Sequence, residues 1–132
     1  MGGVNFAPTP AARGRHWKEV EKVVLVGVST REQDPATTAQ HLAELARLAD
    51  SAGAEVAGEI VQHRQTFDPA TLLGGGKVKE LAELCEAKGV HKVIFDDDLS
   101  PGQAKRLEEL TGCMVLDRSG LILDIFARQA RT

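Results

Sequence analysis

The chain has 132 residues, long enough for one domain with a buried core, and 42% apolar against 27% charged residues place it with ordinary globular sequences. A net charge of −3 gives no global electrostatic drive toward nucleic acid or an anionic membrane, so contact with either needs a local basic face. With no signal peptide, no apolar run of about 18 residues, and two cysteines (Cys85 and Cys113) in apolar patterns, the expectation is a reducing cytoplasm and no membrane partner.

Residues 1–21 read as a flexible arm, rich in Gly, Pro and Ala, with Arg13, Arg15, His16 and Lys18 near its end and Trp17 as a candidate anchor. Residues 22–132 then form the folded domain. The β-branched run 23–28 predicts a strand covered on both faces. Asp34 and Pro35 supply an N-cap and a first-position proline, Leu42, Leu45, Ala46 and Ala49 mark the buried stripe of the helix that follows, and Gly53 stops it. Alternation from Ala54 to about Gln65 sets Val56, Gly58, Ile60 and Gln62 against Ala57, Glu59, Val61 and His63, a second strand. Asp68 and Pro69 begin a loop or a single helical turn, and Gly74, Gly75 and Gly76 lead into a helix with Val78, Leu81, Ala82 and Cys85 inward and Gly89 at its end.

Residues 93–95 predict the third strand, and Ser100, Pro101, Gly102 and Gln103 spell a capping box. Leu107 and Leu110 are expected to bury the helix that Gly112 ends, and 113–116 to form the fourth strand. Ser119 would cap a last helix with Ile122, Ile125 and Phe126 inward. Because Leu121 and Leu123 make that helix apolar around much of its circumference, it is expected to pack on a further segment. The order βαβα, repeated twice, predicts an α/β fold: a four-stranded parallel sheet flanked by helices, with right-handed crossovers and a strand order that the pattern leaves open.

Gly74, Gly75, Gly76 and Lys77 are the first candidate site, since a glycine-rich turn entering a helix lets main-chain N–H groups meet a phosphate. The P-loop pattern fails, because Thr71 stands where its first glycine belongs and Val78 replaces the hydroxyl residue that ligates magnesium. The dinucleotide pattern fails as well, with Lys79 at its third glycine. The turn is therefore either a permissive helix entry, using left-handed glycine angles, or an anion contact. Asp96, Asp97 and Asp98 fall at the carboxyl end of the third strand, where open sheets hold ligands. They are weak candidates for Mg²⁺, or simply charges favouring the next helix N-terminus. His16, His41, His63 and His91 are scattered without zinc spacing, and no nucleophile elbow exists, so no catalytic residue is assigned. Basic residues of the last third alternate with acidic ones, as on a solvated surface.

Four blocks in sequence order carry a resemblance: 24–28, 68–81 with the glycine turn, 93–101, and 115–128. Together they make residues 22–132 resemble the N-terminal domain of HflX-type GTPases, with Gly75 where a typical member has serine. The resemblance implies that the intact protein binds and hydrolyses GTP with Mg²⁺, associates with the large ribosomal subunit and splits ribosomes under stress. It places the GTPase site in a separate domain after a helical hairpin, both downstream of Thr132, so those segments become intramolecular partners and no GTP-binding residue is carried onto this chain. Ribosomal RNA phosphate is expected to meet Lys77, Lys79, Lys105, Arg106 and Arg118. The alternative is a nucleotide module that takes ATP or a small anion at residues 74–77.

Overall fold

A computed structural model describes residues 20–129; residues 1–19, including the expected basic cluster and Trp17, lie outside the described residues. Strand β1 (Glu21–Ser29) is followed by α1 (Pro35–Ser51), β2 (Ala54–His63), α2 (Gly75–Lys88), β3 (Lys92–Phe95), α3 (Pro101–Thr111), β4 (Met114–Asp117) and α4 (Arg118–Gln129). All pairings are parallel and the strand order is β2-β1-β3-β4. The expected α/β sheet is thus present, and β1 begins two residues earlier than the apolar run alone suggests.

β1 is central, which is why its apolar run is continuous rather than alternating. Val24, Val26 and Val28 face a core layer completed by Leu73, Val78, Leu81, Val93, Phe95, Leu107 and Val115, beneath α2 and α3. Val23 and Leu25 point the other way, onto Leu42, Leu45, Ala49, Ile94 and Leu121 from α1, β3 and α4. The connection from β1 to β2 runs toward one edge with its helix on one face. The connections from β2 to β3 and from β3 to β4 run toward the other edge with their helices on the opposite face. Reversing both direction and face preserves handedness, so the three crossovers share one hand, as right-handed units require.

Local signals act as their chemistry dictates. The Asp34 side chain accepts the Thr37 N–H at 2.8 Å, and the capping box of Ser100 and Gln103 closes in both directions. Gly89 and Gly112 end their helices in the left-handed region, with φ of 67° and 72°. Gly27 serves packing instead. A Cβ there would lie 2.9 Å from Leu42 Cδ1 and 3.0 Å from Thr38 Cγ2, so its bareness sets how closely α1 rests on β1.

Two expectations about helix faces are corrected. Leu110 is 43% exposed, because α3 covers the sheet beside its edge strand and buries only the row of Leu107. In α4 the inward row is Leu121 with Ile125 packed beside it, whereas Ile122 and Phe126 occupy the adjacent row and are exposed. The cap of α4 also differs. The helix starts at Arg118, and Asp117 Oδ1, not Ser119, accepts the Gly120 N–H at 2.7 Å.

Candidate functional site

In the order β2-β1-β3-β4 the connections leave β1 and β3 toward opposite edges, opening the sheet at the carboxyl ends of those two strands. Asp96 extends β3 there, its N–H bonded to the Val26 carbonyl at 2.9 Å. Its side chain is buried, and Oδ1 accepts from Arg118 Nε at 3.1 Å and from Nη2, while Oδ2 faces His41 Nδ1 at 3.3 Å. Arg118 Nη2 also donates to the His41 carbonyl at 2.9 Å, and Nη1 approaches Glu44 at 4.0 Å. The guanidinium therefore ties α1, β3 and α4 together around one desolvated carboxylate. This gives Arg118 a structural role at the heart of the cleft.

The resulting cleft, about 500 Å³, is lined by Gln33, His41, Glu44, Asp96, Asp97, Asp98, Arg118 and Ser119. Asp97 is the unusual member. Its Oδ2 is buried with no hydrogen-bond partner among the described residues. Burial chiefly, then the neighbouring Asp96 charge, with Asp98 adding and His41 opposing, push its carboxyl up to about 6. Asp98 accepts from Ser119 Oγ at 3.4 Å, and Asp117 Oδ2 accepts the Leu99 N–H at 2.9 Å. Among the described residues no three His, Cys, Asp or Glu side chains come together as metal ligands. The arrangement can hold or release a proton at Asp97 and offers acceptors to a donor-bearing group.

The glycine turn lies at the end of the β2 connection and does not line this cleft. Gly74 is the N-cap of α2 with φ of −65°, its N–H bonded to Gln62 Oε1 at 2.8 Å, and no side chain caps the helix. The expected left-handed glycines are absent from the turn. The left-handed residue is instead Leu72, with φ of 66°, inside a closed loop in which Asp68 and Leu72 exchange backbone hydrogen bonds of 3.1 and 2.9 Å. That conformation costs a non-glycine residue about 1–2 kcal/mol; the Asp68 carboxylate accepting Ala70 N–H at 2.8 Å and the burial of Leu72 and Leu73 hold it.

Lys77 is paired with Glu80 at 2.9 Å, and Arg106 with Glu109 at 3.7 Å, whereas Lys79 and Lys105 are exposed on helices covering the same face. Arg64 was missed by sequence reasoning. Its Nη1 lies 2.7 Å from where a Gly74 Cβ would be, making it the cation beside the turn. His41 and Gln33 were also missed, since only the strand order brings them to Asp96 and Asp97. No helix among the described residues is long and apolar enough to cross a membrane.

Residues 39–127 match the family described as GTP-binding GTPase N-terminal. GTPase HflX of Flavobacterium psychrophilum is 38% identical over 112 residues, covering 85% of this chain and 27% of that protein. GTPase HflX of Escherichia coli is 43% identical over 113 residues, covering 85% and 26%. GTPase HflX of Thermofilum pendens is 48% identical over 89 residues, covering 67% and 21%. The chain thus spans about a quarter of the length of the curated relatives it matches. Among solved structures, a complex of SsGBP with GDP superposes with a TM-score of 0.61 at 18% identity, covering 82% of this chain and 29% of that one. A GTP-binding protein of Sulfolobus solfataricus in complex with GDP gives 0.58 at 16% identity, covering 82% and 30%. At such identities the likeness is one of fold.

Proposed function

The chain belongs to the GTP-binding GTPase N-terminal family as an HflX-type N-terminal domain, and from that premise we propose that it is the ribosome-contacting module of a cytoplasmic GTP-binding protein that associates with the large ribosomal subunit and splits ribosomes under stress. GTP hydrolysis with Mg²⁺ belongs, in this reading, to a domain outside the chain. The residues present do not fit such a site. Thr71 and Val78 break the phosphate-loop pattern, Lys77 is committed to Glu80, and no carboxylate cluster converges as metal ligands among the described residues. For the same reason ATP at residues 74–77 finds no favouring observation.

The observation that carries the reading is the match of 85% of this chain to proteins named GTPase HflX. The exposed row of Ile122, Leu123 and Phe126 on α4 supports a second element of the proposal, that a helical hairpin of the longer polypeptide seats on this helix and carries the GTPase domain with it. Co-sedimentation of the chain with large ribosomal subunits over a salt series tests the ribosome contact. Binding that weakens as salt rises is expected. Failure to co-sediment at low salt would refute a ribosome contact by this domain.

A further inference from the structure

The opposite end of the sheet has the opposite electrostatic character. A groove of about 900 Å³ at the amino ends of the strands is lined by Glu21, Lys22, Lys88, His91, Lys92 and Arg128, together with small residues and Val20. Four cationic side chains there meet two carboxylates: Glu21 is shared, 3.0 Å from Lys92 and 3.6 Å from Arg128, and Asp124 pairs with Arg128 at 3.0 Å along α4. Lys22 and Lys88 are exposed and have no ion-pair partner among the described residues. At the carboxyl ends, by contrast, Glu44, Asp96, Asp97 and Asp98 surround a single Arg118. A chain of net charge −3 has thus gathered uncompensated positive charge at one end of its strands.

From this we infer that the groove at the amino ends of the strands binds the phosphodiester backbone of RNA, an inference that rests on the ribosome-contact reading and locates that contact. Helix dipoles do not account for the charge. Lys88 and Arg128 lie in the last turns of α2 and α4, where a cation is favoured, but Lys22 and Lys92 are on strands. Space is available as well. Gly53 and Gly89 line the groove, and a Cβ at either would meet nothing within 4 Å, so the wall there is bare backbone with room for a sugar-phosphate chain. The ribosome-contact reading makes the polyanion a phosphodiester chain rather than an acidic peptide, and spaced lysines meet its regularly spaced charges. At the other end of the sheet a phosphate would meet carboxylates first.

Fluorescence anisotropy of a labelled single-stranded RNA, titrated with the chain at several KCl concentrations, tests this without ribosomes. For Lys22→Gln/Lys88→Gln the log–log salt slope should be shallower by about 1.4, taking about 0.7 per neutralised phosphate, and the affinity at about 50 mM salt should fall at least tenfold. Lys79→Gln/Lys105→Gln puts the sequence-based expectation for α2 and α3 to the same test, and a loss there larger than that of the groove variant would overturn the groove. All four lysines are exposed, so unchanged melting curves are the check that each variant folds. Parent-like binding by the groove variant would overturn the inference. Absence of RNA binding by the parent, or equal displacement of RNA by polyglutamate, would overturn it too. Co-sedimentation with large subunits separates the two levels. If it survives in the groove variant, the groove is refuted and the ribosome reading stands; if RNA binds through the groove while subunits do not, the ribosome reading falls and the groove stands.

Discussion

Replacing Asp97 by asparagine should stabilise the protein at neutral pH and leave it nearly unchanged near pH 4. The fold raises this carboxyl from 3.8 to about 6, so the folded state binds the proton more tightly than the unfolded chain does. Stability linked to this group therefore falls as pH rises between those two values, and the full penalty is present above about 6. A shift of roughly two units corresponds to about 3 kcal/mol at 1.36 kcal/mol per unit. Asp97 is only partly buried, and solvent screening reduces that to about 1–2 kcal/mol. Asparagine keeps the shape, removes the charge that burial and Asp96 oppose, and presents an N–H to the surrounding acceptors. Urea unfolding of parent and variant in parallel from pH 4 to 8 reads the difference, in which the titrations common to both cancel. The variant should gain about 1–2 kcal/mol at pH 7, with the gain shrinking toward zero at pH 4. A difference that does not vary with pH, or a variant weaker than the parent at pH 7, would refute the account of a carboxylate held at a cost.

Arg118→Met should lose about 2–4 kcal/mol, slightly below the roughly 3–5 of a fully buried pair, because it strands the desolvated Asp96 while its own side chain is 26% exposed; urea midpoints check it. Gly27→Val should lose about 2–3 kcal/mol by driving α1 off β1, since even a Cβ falls within 3.0 Å of Leu42 and Thr38, and a melting temperature equal to the parent's would contradict that packing. Phe126→Ser should change stability by less than about 0.5 kcal/mol, the ring being 63% exposed in this chain, and calorimetry of the isolated chain measures it.

The elements were legible because their signals are local. The Asp34–Pro35 dipeptide, the capping box at Ser100 and the glycines at 53, 89 and 112 each specify a helix end through bonds a few residues long. What hydropathy could not resolve was phase in α4, where Leu121, Ile122, Leu123, Ile125 and Phe126 cover most of the circumference and the polar strip of Asp124 and Arg128 lies beside the buried row, so of Ile122, Ile125 and Phe126, all expected inward, Ile125 alone packs on the core. The site was legible only in halves. Asp96, Asp97 and Asp98 stand out in the sequence, but their meeting with His41 and Arg118 depends on β1 lying beside β3, a long-range fact that periodicity does not encode. The basic groove is harder still, since residues 22, 88, 92 and 128 share nothing in sequence except their charge.

The 68–72 loop bears on how the molecule breathes. Leu72 and Leu73 enter the core directly ahead of the glycine turn, and the Asp68 and Leu72 amides are locked in reciprocal bonds. Opening that loop means withdrawing two leucines from the layer beneath α2. Its amide protons should therefore exchange with solvent only in large, cooperative openings, while those of Gly75 and Gly76, exposed in the uncapped first turn of α2, should exchange in small ones. The glycine turn is thus a labile lip on a fixed plug. Hydrogen exchange would show two adjacent stretches of backbone belonging to different unfolding units, with the boundary between Leu73 and Gly75.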